Sequence, residues 1–217
     1  MSTWLQTLLP VQSMSPWEAV AVIFAIAYLL LAVRENSLCW LFALLSTAIY
    51  TFLFWDVSLL MESTLNVYYM AMAVYGWNQW TRGGSGDMTG SGVEGDELRH
   101  ALAVQSMSGR QHVLVITGIA ILSIVSGYLL SEHSNAAWPY VDSFTTWASV
   151  ITTYLVTRKY LQNWLYWIVI DTVSIPLYVD RGLNLTALLF VAYVVIAVIG
   201  YIKWRDHFRS SGHVVAA

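Results

Sequence analysis

The stretch Arg158–Asp180 reads RKYLQNWLYWIVIDTVSIPLYVD. Moved back by 124 positions, it falls on Arg34–Asp56, RENSLCWLFALLSTAIYTFLFWD. Arg158 meets Arg34, Trp164 meets Trp40 and Asp180 meets Asp56, with no gap. The same register pairs Leu59 with Leu183, Leu65 with Leu189 and Tyr69 with Tyr193. Ala73, Val74, Gly76 and Trp80 then meet Ala197, Val198, Gly200 and Trp204. Upstream the match is weaker, with Glu18 on Asp142 and Leu31 on Leu155. Apolar segments share residues by chance, but Trp, Asp and Gly matching in one register mark an internal repeat.

Composition says where this repeat resides. Hydrophobic residues make up 58% of the 217 and charged residues 11%, against roughly 45–50% and about 25% in soluble domains. The chain is therefore read as a polytopic membrane protein. Net charge is −3, which gives no basis for a nucleic-acid partner. Cys39 is the single cysteine and excludes an internal disulfide. The opening MSTWLQTLLP has no basic segment and reads as an interfacial arm rather than a signal peptide.

Seven apolar segments have the ~17–25 residues of a spanning helix. They run about Trp17–Val33, Leu38–Trp55, Val57–Trp80, Gln111–Leu130, Val141–Val156, Leu161–Tyr178 and Leu183–Trp204. The fold class is thus an all-α polytopic membrane protein, one transmembrane domain over 1–217. Repeat one covers about 17–80, a cytoplasmic linker about 81–110, a linking helix about 111–130 and repeat two about 138–204. The linker contains GGSGDMTGSGVEGDE, a flexible composition. A single linking helix restores direction, so the two triplets are parallel repeats about an axis along the membrane normal.

Charge placement gives the orientation. With alternating segments, Arg34, Arg82, Arg99, Arg110, Arg158, Lys159, Lys203, Arg205 and Arg209 share one side, and only Arg181 lies on the other. Cytoplasmic loops are enriched in Lys and Arg. The expectation is N-terminus outside and C-terminus cytoplasmic.

Sites in such repeats lie near the midplane at the repeat interface. Helix three carries Glu62, Asn66, Tyr69, Ala73, Gly76 and Trp80 at steps of three and four, hence on one face. Helix six carries Trp164, Trp167, Asp171, Ser174 and Tyr178 in the same spacing, and helix five Asp142, Thr145, Ser149 and Thr152, with Thr146 and Thr153 beside them. Helix two offers Thr47 and Tyr50 where repeat two has Asp171 and Ser174. Asp171 is the most informative residue. It lies about ten residues into its helix, where an ionised Asp costs ~2.5–3.5 kcal/mol, and every Lys and Arg is at a helix end or in a loop. It is read as lining a solute path. The structural alternative is a carboxyl satisfied by neighbouring hydroxyls. Glu62 sits about one turn inside the outer end, between path and interface. Trp80 and Trp204 are expected to be interfacial anchors, as Trp at a membrane boundary commonly is. Pro176 bends the outer part of helix six. Asn184-Leu-Thr186 fits a glycosylation pattern that is weak by itself. Acids, amides, hydroxyls and aromatic rings together suit a small polar solute with a flat, cationic ring, through cation–π contact and hydrogen bonds. A sugar would use similar aromatics.

Other functions lack their residues. All five His lie in loops, tails or helix ends, and no His-Glu-x-x-His or P-loop occurs. There is no Lys deep in the last helix for a retinal, and no Gly-x-Gly-Asp for an aspartyl protease. No enzyme activity, metal or other cofactor is expected. A seven-helix receptor or a membrane enzyme is the alternative class.

Tyr75–Trp80 (YGWNQW), Thr157–Asp171 (TRKYLQNWLYWIVID), Trp138–Tyr160 and the distal GLNLTALLFVAYVVIAVIGYIKW resemble the PnuC family of vitamin transporters over nearly the whole membrane part. The resemblance implies a fold similar to full-length SWEET transporters and a homotrimer in the bacterial inner membrane. It also implies facilitated diffusion of nicotinamide riboside, with thiamine or riboflavin as the alternative, trapped by a cytoplasmic vitamin kinase. Nicotinamide riboside members tend to carry Gln at the place of Asn66, Asn at that of Asp171 and a small neutral residue at that of Glu62. The expected substrate-binding residues are Asn66, Tyr69, Asp171, Trp167, Tyr50, Thr145, Thr146, Ser174 and Glu62, in a site between helices two, three, five and six that works by alternating access. The expected partners are the vitamin, membrane lipid and that kinase.

Overall fold

The computed structural model describes residues 16–56, 60–82, 102–133, 138–180 and 184–214, without the side chains of 54, 60–62, 82, 184–186 and 211–214. The N-terminal arm, most of the linker, Arg181 and the Glu62 side chain thus lie outside the described residues, as do the side chains of the Asn184-Leu-Thr186 pattern. Seven helices fill the rest: α1 Pro16–Val33, α2 Cys39–Asp56, α3 Leu60–Arg82, α4 Gly109–His133, α5 Pro139–Thr157, α6 Asn163–Asp180 and α7 Asn184–Val214. They are the seven segments expected, in the order three, one, three.

Local chemistry sets the helix ends. Pro139 opens α5 at a first-turn position, where its fixed φ fits and its missing N–H is not needed. Glu35 and Lys159 close α1 and α5 with left-handed φ of 55° and 51°. Around them Asn36 N–H donates to Leu31 O and Glu35 N–H to Ala32 O, while Tyr160 N–H donates to Leu155 O and Lys159 N–H to Val156 O. These are two Schellman caps at matching positions of the repeat. A non-Gly residue in this conformation costs roughly 1–2 kcal/mol, which the recovered carbonyl bonds offset.

Hydropathy separates the most apolar helices from those that carry the polar stripes. Pro16–Val33, Gly109–His133 and Ala187–Ser210 are long and apolar enough to cross a membrane by composition alone, and Cys39–Leu53 is a shorter apolar helix. The α3, α5 and α6 helices fall below that level because they carry the polar stripes. Val113, Leu114, Ile121, Ile124 and Val125 on α4 are exposed, an arrangement suited to lipid and costly in water.

Packing follows the repeat. The α3 helix packs on α5, and α1 on α7, which are equivalent pairings. A Cβ at Gly76 would lie 2.4 Å from the Trp40 ring, and one at Gly200 would lie 2.7 Å from the Trp164 ring. Only glycine lets each indole sit against the neighbouring helix backbone. Trp40 and Trp80 meet edge-on with centroids 5.4 Å apart, Trp164 and Trp204 do the same at 5.4 Å, and Trp80 lies 5.9 Å from Trp204. Edge-on indoles gain beyond their area burial. The four rings form a chain of contacts across the two triplets.

This corrects the expectation for Trp80 and Trp204. They are 1% and 0% exposed and are core residues, not interfacial anchors. Each indole N–H donates into the other repeat: Trp80 to Val156 O and Thr157 O at 3.3 and 3.1 Å, Trp204 to Ala32 O at 3.1 Å. Ala32 O and Val156 O already accept from the cap N–H groups, and the indoles fill their second lone pairs.

The described end of the linker is also docked. Gln105 N–H donates to Lys159 O and Leu161 N–H to Gln105 O, at 2.9 and 2.8 Å. Met107 N–H donates to the Gln162 side chain, which in turn donates to Ser106 Oγ. Val104 joins the core cluster of Trp80, Trp164 and Trp204. Residues 102–108 therefore strap the turn between α5 and α6.

Candidate functional site

A cavity of about 920 Å³ lies within the helices, inside the ~300–1,000 Å³ range of small-molecule sites. The entire polar stripe of α6 faces it: Trp164, Trp167, Asp171, Ser174 and Tyr178. From α5 come Asp142, Thr145, Thr146 and Ser149, and from α3 Leu65 and Tyr69. Helices α1, α4 and α7 complete the wall through Tyr28, Ser126 and Trp147 (the last on α5 against α4), and through Phe190 and Tyr193. Val156, Trp164 and Ala197 line the cavity and also belong to the Trp cluster, so that cluster is its floor.

Six of the nine expected site residues line the cavity: Tyr69, Asp171, Trp167, Thr145, Thr146 and Ser174. Asn66 and Tyr50 do not line it, and the Glu62 side chain is outside the described residues. Among the described residues no α2 side chain lines this cavity; its wall comes mainly from α5 and α6 and is completed by α1, α3, α4 and α7. The α2 hydroxyls bond to carbonyls of α1 and of α2 itself. Ser46 Oγ donates to Ala21 O, Thr47 Oγ1 to Ala43 O and Thr51 Oγ1 to Thr47 O.

Tyr193 and Tyr28 were not among the expected residues. The signal for Tyr193 was present, since it is the repeat partner of Tyr69, and both rings face the cavity. Tyr28 pairs with Thr152, and no such signal exists.

The wall is rich in acceptors. Thr145 Oγ1 donates to Val141 O and Asp142 O, and Ser174 Oγ donates to Ile170 O. With their protons committed to the helix, these oxygens offer lone pairs to the cavity. Asp171 is 5% exposed, and among the described residues none forms an ion pair with it. No Lys, Arg or His lines the cavity among the described residues, whereas two carboxylates, Asp142 and Asp171, do. Chemically the cavity is an aromatic box with an acidic, hydrogen-bond-accepting interior. Among the described residues no group of three metal-ligating side chains occurs.

A family model described as nicotinamide mononucleotide transporter matches residues 15–206. The nicotinamide riboside transporter PnuC of Escherichia coli K12 is 27% identical over 208 residues, 90% of this chain and 87% of the relative. A nicotinamide riboside transporter PnuC of Neisseria mucosa is 25% identical, covering 94% and 80%. The riboflavin/roseoflavin transporter RibM of Streptomyces davaonensis is 24% identical, over 62% of this chain and 59% of the relative. The crystal structure of the vitamin B3 transporter PnuC shares the fold with a TM-score of 0.69 at 22% identity, covering 95% of this chain and 91% of that one. The chain belongs to the nicotinamide mononucleotide transporter family, that of the PnuC proteins, and is a multi-pass membrane transport protein.

Proposed function

We propose that this protein moves a flat-ringed cationic vitamin, nicotinamide riboside first, across the bacterial inner membrane. The relatives named nicotinamide riboside transporters put that vitamin first, and the observation that carries a cationic cargo is Asp171. It is a buried carboxylate facing a cavity with no cation beside it among the described residues. A carboxylate held from water without a partner is costly, and a cationic solute supplies the missing charge. Trp167, Tyr69 and Tyr193 enclose the ring, and Thr145, Thr146 and Ser174 accept hydrogen bonds from amide or hydroxyl groups. Asn66 and Tyr50 do not line this wall and are secondary to it, and the Glu62 side chain lies outside the described residues.

The absence of any basic lining residue among the described ones favours a nucleoside over its phosphate ester. A phosphate beside Asp142 and Asp171 would meet repulsion with no Arg or Lys to relieve it. Thiamine is the second reading, because the second carboxylate at Asp142 suits a cation that also bears an amino-substituted ring.

Transport proceeds by alternating access of the two triplets, as facilitated diffusion, with cytoplasmic phosphorylation trapping the solute. The sorting of Lys and Arg to one side supports a cytoplasmic C-terminus. The test is uptake into liposomes of nicotinamide riboside, thiamine and riboflavin in parallel. Saturable equilibration of a cationic vitamin is expected. Failure of both nicotinamide riboside and thiamine to bind or equilibrate would overturn the reading, whatever riboflavin does.

A further inference from the structure

At the end that carries the turns after α1 and α5, the two triplets meet through an ion pair. Lys159 Nζ lies 3.2 Å from Glu35 Oε2. The two residues are 124 positions apart, which is the repeat spacing itself. They occupy the same left-handed position of two equivalent turns, so they face each other across the repeat axis with opposite charge. His207 of α7 contacts the other Glu35 oxygen, and the Lys159 ammonium sits 4.6 Å over the Trp80 ring. Both side chains of the pair are largely withdrawn from solvent, at 5% and 15% exposure.

We propose that Glu35 and Lys159, capping the Trp80–Trp204 layer, form the inner gate of the cavity. The inference rests on the alternating-access reading above. The cavity floor is the Trp cluster, and the ion pair lies over that cluster. A solute leaving toward this end must pass through both layers. The gate is asymmetric. The main chain of Lys159 is fixed by the 102–108 strap through Gln105. Among the described residues no main-chain bond ties the 34–38 turn to another segment, and Glu35 is held by its side-chain contacts to Lys159 and His207. The Glu35 side is therefore the moving leaf, and the Lys159 side is the post. Separating the pair leaves two charges in a poorly solvated place unless water enters, so the gate opens wet or stays shut.

The single cysteine reports on this motion. Cys39 is fully buried in the same cluster, four residues beyond Glu35, and its N–H bonds to Asn36 O in the Glu35 turn. A thiol reacts with maleimide as the thiolate, which needs water, so modification of Cys39 measures opening.

The experiment is the rate of N-ethylmaleimide modification of Cys39 in the full-length protein in liposomes. Glu35→Gln should raise the rate at least tenfold over the unsubstituted protein, and Lys159→Met, which keeps an apolar stem over Trp80, should do the same. The double variant Glu35→Gln with Lys159→Met should label no faster than the faster single variant, since both single changes break the same pair. Folded single variants that label at the original rate would overturn the gate and make the cluster a fixed pivot. A double variant whose increase is the product of the two single increases would overturn the role of the pairing. Labelling requires no vitamin, so failure of the transport reading and failure of the gate are separately visible.

Discussion

Trp80 and Trp204 each reach across the repeat axis to cap the other triplet's first helix: Trp80 donates to Val156 O at the end of α5, and Trp204 to Ala32 O at the end of α1. Positions 32 and 156 are themselves related by the 124-residue shift. One exchange of donors thus joins the triplets twice, and the layer it builds closes the cavity at one end.

The donors in this layer are unequal. The indole N–H groups of Trp40 and Trp164 are buried without a partner among the described residues, while those of Trp80 and Trp204 are bonded. Trp80→Phe should lower the melting temperature more than Trp40→Phe. Both remove similar ring area, but only the first removes a hydrogen bond, worth ~0.5–1.5 kcal/mol. Thermal unfolding in detergent checks the order, and equal losses would count against the exchange.

The glycine contacts predict a graded series. Gly200→Ala and Gly76→Ala drive a methyl into Trp164 and Trp40, an overpacking that costs typically 1–3 kcal/mol. Gly118 has open space where its Cβ would lie, and Gly118→Ala should be neutral or slightly stabilising because Ala favours helix. Melting temperatures of the three variants decide this.

The wall of the cavity predicts which aromatic residues matter for binding. Tyr193→Ala and Tyr69→Ala should each weaken vitamin binding about tenfold, in line with stacking of ~1–3 kcal/mol. Tyr50→Ala should leave affinity within about threefold, since Tyr50 does not line the cavity. Calorimetric titration of the three variants separates the outcomes.

Much of this was legible in the sequence, and the limits are instructive. Seven helices and the repeat register could be read because Trp, Asp and Gly recur at one spacing. The α6 stripe was legible in full, since steps of three and four put Trp164, Trp167, Asp171, Ser174 and Tyr178 on one face. Tyr193 was overlooked although the repeat pointed to it through Tyr69. Trp80 and Trp204 were misplaced because a Trp at the boundary of an apolar segment looks the same whether it meets headgroups or another repeat. Only the partner carbonyls, Val156 and Ala32, distinguish the two, and they lie in distant sequence. The repeat places Thr47 and Tyr50 of α2 at the positions of Asp171 and Ser174, but among the described residues neither lines the cavity, because a repeat register fixes a position along the helix and not how the two triplets enclose space. The pairing of Glu35 with Lys159 is a tertiary event to which no local pattern points.

The central claim is that Asp171 recognises the positive charge of the cargo. The direct measurement is the affinity of nicotinamide riboside, and of its uncharged dihydro form, for the unsubstituted protein and for Asp171→Asn, by calorimetric titration. The account predicts that the cation binds the unsubstituted protein more tightly than the dihydro form. It also predicts that Asp171→Asn loses this preference by at least tenfold, about 1.4 kcal/mol, even where the cation still binds through the amide. An Asp171→Asn variant that keeps the full preference for the cation over the dihydro form would contradict it.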